Sequence, residues 1–309
     1  MRTTRSLMES ITGIQTTDEP SMQSYFRQVL VLFLSSFSII LLTSQVTDLK
    51  QPTGSYFGQS PPGAVPERFA KGIIPDDLHS IPVFSADGKT VYYKPLDNTG
   101  IMVMKMKQSK WSKAIPLFVN DEVGNSDDPC ISHSGNSLYF SSYNKEQNRE
   151  YIYYCDQEDT DKCIPQKPSG ELNTLDLHWQ FSVTGNGNVY FSSNGNIYCS
   201  VFSSGTYEKP YKLDSGINSD YSECTPYVSQ DENMMIFSRS NADKPDLFIS
   251  TKGEDGKWQK ARKLGPGINT AGHEMCPYIS PDGKYFFFLS SREGLFSAYW
   301  VNANVLSNS

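Results

Sequence analysis

Five segments of this chain can be laid over one another, and that internal repeat constrains the fold more than any other feature. They read IPVFSADGKTVYYKP from Ile81, DPCISHSGNSLYFSS from Asp128, HWQFSVTGNGNVYFSS from His178, TPYVSQDENMMIFSR from Thr225 and CPYISPDGKYFFFLSSR from Cys276. Their aligned serines, Ser85, Ser132, Ser182, Ser229 and Ser280, recur at spacings of 47, 50, 47 and 51 residues. A period of about 40–50 residues is that of four-stranded propeller blades.

Each repeat carries the strands a blade needs. A short apolar run ends at the serine, and a turn such as Asp87-Gly88 or Asp282-Gly283 follows, a hairpin signal. A second strand runs through Val91–Tyr93, Leu138–Phe140, Val189–Phe191, Met235–Phe237 or Phe286–Phe288. The third strands read IMVMKM, EYIYYC, NIYCSVF, DLFIST and FSAYWV. These are nearly continuous apolar runs, as expected where both faces of a strand are buried between stacked blades. Outer strands follow as WSKAIPLFVN, EKPYKLDSGIN and WQKARKLGPGIN in repeats one, three and four, with only IPQKPSGELN in repeat two. Repeat five has none. RFAKGIIPDD, from Arg68, resembles the missing element and precedes the first repeat. The expectation is a five-bladed, all-β propeller of four-stranded antiparallel blades whose last blade is closed by the N-terminal strand. Such closure removes open sheet edges.

The segment CPYISPDGKYFFFLSSREGLFSAYWV resembles the TolB-like, WD-repeat-related β-propeller repeat of bacterial envelope proteins. The resemblance rests on the Ser-Pro-Asp-Gly-Lys turn at Ser280 to Lys284 and on Ser290 with Arg292 after the second strand. It covers residues 67–309, well in repeat five, fairly in one and four, and weakly in two and three. It implies a propeller that binds peptides or proteins, and no reaction. The best-known members have six blades, so six is the alternative to the five counted here.

Residues 29–42 read VLVLFLSSFSIILL, without a charge. A signal-peptide core takes roughly 7–15 apolar residues and a spanning helix roughly 20. The run fits the first and, extended through Gln45, a marginal single anchor. Arg27 just before it favours an N-terminus that stays inside. Met1 and Met22 both stand as starts, Met22 giving the shorter leader. The chain thus divides into a polar leader (1–28), a signal-peptide core or single transmembrane anchor (29–45), a Gly-, Pro-, Ser- and Gln-rich linker (46–66) and the propeller (67–309). The last is expected outside the cytoplasm, periplasmic or secreted, touching a membrane only through the N-terminal segment.

The net charge is −7, and no Lys/Arg cluster is present. Nucleic acid is therefore not an expected partner, because phosphate binding needs clustered cations. The acids gather instead where the chain enters each repeat. The residues six before the serines are His79, Ser126, Asp176, Glu223 and Glu274, with Asp77, Asp127, Asp128, His178 and His273 beside them. These should line one mouth of the central channel. Carboxylates grouped there raise one another's pKa or hold a divalent cation, and otherwise hydrogen-bond neighbouring backbone. Trp179, Tyr221 and Tyr278 are aromatic residues expected near that mouth. His79, His178 and His273 are of a type that binds a metal with one position open, though they differ by up to three residues in register. No cofactor is otherwise expected. His133 lies in a turn and should be exposed. Recurrent Arg239 and Arg292 point to structural salt bridges between blades.

Six cysteines are present, and an even number outside the cytoplasm permits disulfides. Cys155 and Cys163, flanking the acidic DQEDTD loop, are the best local pair. Cys224 and Cys276 sit in equivalent positions of adjacent repeats. No Gly-x-Ser-x-Gly, His-Glu-x-x-His or phosphate-loop pattern is found. The expected function is a non-enzymatic module that binds a peptide, protein or glycan at the acidic mouth. The alternative is a glycan-acting hydrolase or lyase using the same carboxylates or a His-bound metal.

Overall fold

The computed structural model describes residues 51–97, 99–118, 125–156, 163–176, 178–241 and 244–307. The apolar run at 29–42 and most of the DQEDTD loop lie outside them. No helix among the described residues is long and apolar enough to cross a membrane.

The described strands form five small antiparallel blade sheets and a two-stranded ribbon of Phe202–Ser203 with Thr206–Tyr207. Blade one runs from the inner strand Leu78–Phe84 through Thr90–Pro95 and Met102–Lys107 to Ile115–Pro116 at the outside. Blade two is Asn125–Ile131, Ser137–Asn144 and Arg149–Asp156. Its weak outer segment forms no strand among the described residues and makes the isolated bridges Tyr154↔Gln166 and Gly170↔Tyr207. Blades three and four begin at His178–Val183 and Ser222–Val228 and end at Tyr211–Lys212 and Arg262–Lys263. Blade five comprises Glu274–Ile279, Tyr285–Ser290 and Ser297–Asn302. Its outer strand is Glu67–Arg68, paired with Trp300 and Tyr299. The propeller has five blades, and the N-terminal strand closes the ring.

The hairpin turns explain why the serines recur. Ser280 Oγ donates to Asp282 and accepts the N–H of Tyr285, and Ser85 does the same with Asp87 and Thr90. In repeat three this position belongs to Thr184, whose N–H donates to the Asn188 carbonyl as that of Ser85 does to Thr90. Ser182, aligned with the serines in the sequence, is two residues out of register. It bonds Val228 of blade four instead. The longer TGNGN turn shifts the apparent alignment, and it is His178, not Asp176, that stands six before the turn residue.

Every inner strand is interrupted by a bulge, seen as a register shift against its neighbour. In four blades the bulged residue has positive φ: Asp128, Gln180, Thr225 and Cys276. Proline follows three of these, at 129, 226 and 277, and stands at the equivalent position 82 of blade one, whereas Phe181 follows Gln180. Proline cannot donate to a ladder, and a bulge is one place in a sheet that accepts it. The bulges turn side chains inward, and these meet across the channel. Cys276 N–H donates to Thr225 Oγ1 at 3.2 Å, and Gln180 Nε2 to the Pro277 carbonyl at 2.9 Å. These contacts tie blade four to five and blade three to five at the level of the bulges.

On the outside an asparagine side chain ties strand to strand. Asn269 Oδ1 accepts from Leu247 N–H, and its Nδ2 donates to the Leu247 and Leu264 carbonyls. Asn218 and Asn173 repeat the clasp on Ile197 and Ile152. Asn269→Ala would leave these buried backbone groups unpaired. It is expected to cost about 2–3 kcal/mol in a urea titration, whereas a substitution at exposed Lys260 should cost nearly nothing.

Part of the segment read as linker is not one. Tyr56 and Phe57 insert between the first and last blades, with ring centroids 5.1 Å from Tyr285 and 4.6 Å from Trp111. Trp111 Nε1 donates to the Gly54 carbonyl at 2.8 Å. The sequence of this stretch is polar on average, and two aromatic residues suffice to dock it.

Candidate functional site at the channel mouths

The carboxylates at the strand-entry mouth fall into two groups. Glu223 and Glu274 have no exposed surface. Glu223 accepts from the Ser219 N–H and Oγ and lies 2.7 Å from Arg239 Nε. Glu274 accepts from the Thr270 N–H and Oγ1 and from Ser290 Oγ, with Arg292 Nη2 at 3.9 Å. The two guanidinium groups also donate to the Ile217 and Ile268 carbonyls. Each lies 4.6 Å from a ring centroid, of Phe248 and Tyr299 respectively. These ion pairs sit within one blade and not between blades as the recurrence suggested. Glu223 and Glu274 are already neutralised and fully hydrogen-bonded, so they belong to the architecture.

The second group is less fully paired. Asp127 lies 3.5 Å from Lys94 Nζ, which is itself buried and donates to the Pro95 and Asp97 carbonyls. Asp128 Oδ1 is 4.0 Å from His79 Nε2. Asp176, 59% exposed, meets Arg149 Nε at 3.2 Å. Glu150 joins them from the third strand of blade two. Burial, reinforced by the charges of Asp128, Asp127 and Asp176, pushes its carboxyl up to about 8. Burial also raises Asp128, with His79 opposing and Asp127 adding to the shift. The structure thus brings His79, Asp127, Asp128 and Asp176 into one sector spanning blades one to three. It adds Glu150, Lys94 and Arg149, which the repeat alignment passed over because none precedes an inner strand.

The remaining expected residues stand apart. Asp77 is half-buried with φ of 67°, and its carbonyl accepts from Leu96 N–H. His273 is exposed and packs edge-on against Phe296. The side chains of His178 and Trp179 lie outside the described residues. Among the described residues, no three His, Cys, Asp or Glu side chains are grouped to hold a metal ion. Cys155 and Cys163 form a disulfide, while Cys224 and Cys276 are free and buried, and Cys224 bonds Ser238 instead.

The hairpin-end mouth holds a cavity of about 290 Å³ to which all five blades contribute. Tyr278 lines it, at the opposite end from the mouth where it was expected, and Tyr221 is an exposed surface residue. His133 also lines it and is half-buried, not exposed. Burial lowers its pKa, so it is neutral at physiological pH.

No family model matches the chain, and no curated protein does. Among solved structures, an endo-arabinase from Bacteroides thetaiotaomicron aligns with a TM-score of 0.53 at 16% identity, over 79% of this chain and 97% of that one. A putative TolB from Agrobacterium tumefaciens aligns with a TM-score of 0.48 at 17% identity, over 69% of this chain and 70% of that one. TolB from Acinetobacter baumannii gives 0.44 at 15%, over 73% and 54%. At these identities the likeness is one of β-propeller fold.

Proposed function

We propose that this propeller is a non-enzymatic binding module that takes a cationic segment of a peptide or protein at the strand-entry mouth, between blades one and three. The observation that supports it is the division of the carboxylates. Two are spent on arginine, while Asp127, Asp128 and Asp176, each beside Lys94, His79 or Arg149, crowd around Glu150 and add to the burial that raises its carboxyl. Burial is the larger cause of the raised Glu150 carboxyl, and a lysine or arginine entering this sector offsets the repulsion from Asp128, Asp127 and Asp176 that adds to it. In this reading the propeller works outside the cytoplasm. The Cys155–Cys163 disulfide supports an oxidising compartment, and the apolar run at 29–42 would carry the chain there.

Calorimetry of an Arg/Lys-rich peptide against the full-length protein, in buffers of different ionisation enthalpy, tests the reading. Binding near pH 7 should release a proton from Glu150, with affinity rising from pH 6 to 8. Glu150→Gln should abolish the proton release. Binding without proton release, or none at all, would overturn the proposal.

Glu150 also gives the hydrolase reading one specific support, since an acid held protonated beside ionised carboxylates is what glycoside hydrolysis uses. Polysaccharide cleavage by the full-length protein, lost in Glu150→Gln, would replace the binding function with that one.

Glu150 has a consequence for stability as well. Its folded pKa lies above the ordinary carboxylate value, so the folded state holds the proton more tightly than the unfolded chain. This contribution is neutral below about pH 4.5, and stability falls as pH rises towards 8. Glu150→Gln is expected to flatten that decline and to stabilise the protein by about 1–3 kcal/mol at pH 8, read from urea midpoints.

A further inference from the structure

The hairpin-end cavity lies across the bulged residues from the acidic sector and plays no part in the proposed binding there. Its lining contains no Lys, Arg, Asp or Glu. A charged ligand would meet no counter-ion in it. Cys130 adds no charge either, since burial pushes its thiol up to about 12.

The cavity is nevertheless not simply apolar. Gln180 lines it, is 6% exposed, and spends its Nε2 on the Pro277 carbonyl. Its Oε1 is buried with no hydrogen-bond partner. An amide oxygen left in this state costs roughly 1–3 kcal/mol. The side chains of His133 and Gln230 also line it and offer donors and acceptors that a wholly apolar ligand would leave unused. The walls are aromatic. Tyr227 and Tyr278 stand edge to face, 6.2 Å apart at 89°. The Tyr278 hydroxyl is held by the backbone N–H and carbonyl of Phe84, which fixes its ring. Both tyrosines are only partly buried and line this opening. Flat rings of this kind cover the C–H face of a saturated ring. The volume is near the lower end for ligand pockets, roughly 300–1,000 Å³, so the occupant is small.

We infer that this cavity is a second binding site, for an uncharged, hydroxyl-bearing ring of monosaccharide size, packed against Tyr227 and Tyr278 with its hydroxyls meeting the polar side chains of His133 and Gln230. The ring is either a free sugar or the terminal residue of a glycan.

Saturation-transfer NMR on the full-length protein in detergent tests it, with a panel of neutral monosaccharides, the matching glucuronate and glucosamine, and short neutral oligosaccharides. At least one neutral sugar should bind, and its charged counterparts should bind at least about tenfold more weakly. A signal from monosaccharides identifies a free-sugar site, and a signal from oligosaccharides alone identifies a glycan end; either supports the site. Tyr227→Ala should weaken binding at least about tenfold, and Tyr227→Phe, which keeps the ring, much less. An unchanged melting temperature identifies variants that fold. Glu150→Gln, at the other mouth, should leave sugar binding intact while removing the proton release on peptide binding. Absence of binding by every neutral sugar, or binding that survives Tyr227→Ala and fails in Glu150→Gln, would overturn the inference.

Discussion

Phe69→Ala is expected to destabilise the protein by about 3–5 kcal/mol, the range for truncating a buried aromatic residue. Phe69 follows the closing strand and is 3% exposed. Its ring lies 5.0 Å from Phe287, 5.1 Å from Trp300 and 5.9 Å from Phe84, so it contacts the first and last blades at once. Its N–H extends the pairing by donating to the Ala298 carbonyl. Loss of the side chain should therefore loosen the outer strand as well as leave a cavity. Hydrogen exchange at 297–301 should accelerate more than at the equivalent strand of blade four. A cost below about 1 kcal/mol, with unchanged exchange, would mean that the ring does not depend on this strand.

Arg239→Ala should be comparably severe. It leaves the Glu223 carboxylate, which has no exposed surface, buried without its counter-ion, a change that costs about 3–5 kcal/mol. The sign with pH distinguishes this cause from lost packing on Phe248. A carboxylate buried without its counter-ion is penalised only in its charged form. The variant's deficit should then shrink as pH falls towards 4 and grow as pH rises. Adding Glu223→Gln should recover more than half of the loss at pH 7. A deficit independent of pH and untouched by the second substitution would show that packing alone is at stake. Arg239→Ala should leave peptide binding intact in protein that remains folded, because Glu223 belongs to the architecture and not to the site.

The ring was legible in the sequence because its determinants are local. The Ser-x-Asp-Gly turns bond within five residues, as Ser85 and Ser280 show, and each is followed by an apolar strand. RFAKGIIPDD was recognisable because an outer strand looks alike whichever blade it joins. Repeat three was misaligned by two residues because Thr184 does the work of the serine, and a hydroxyl two positions earlier, Ser182, mimicked it. The bulges were also missed. The signal was present in Pro82, Pro129, Pro226 and Pro277, four prolines in strands that otherwise read as central.

The site was legible only in part. Carboxylates before the inner strands look alike in sequence, and nothing local tells Glu223, closed off by an arginine sixteen residues later, from Asp127. Glu150 lies two strands from the mouth in sequence order, and its pKa is raised by burial and then by the charges of Asp128, Asp127 and Asp176, which other elements supply. Gln180 and Tyr227 lie in the quoted repeats, but a cavity shared by five blades has no sequence signature.

The most direct test of the functional account is hydrogen–deuterium exchange on the full-length protein with and without an Arg/Lys-rich peptide. The account predicts that protection gathers at 78–80, 125–128 and 149–151, around His79, Asp127, Asp128 and Glu150, and leaves the hairpin turns and the entry to blades four and five unchanged. Protection centred on Glu223 and Glu274, or spread evenly over the surface, would contradict the division between architectural and binding carboxylates on which it rests.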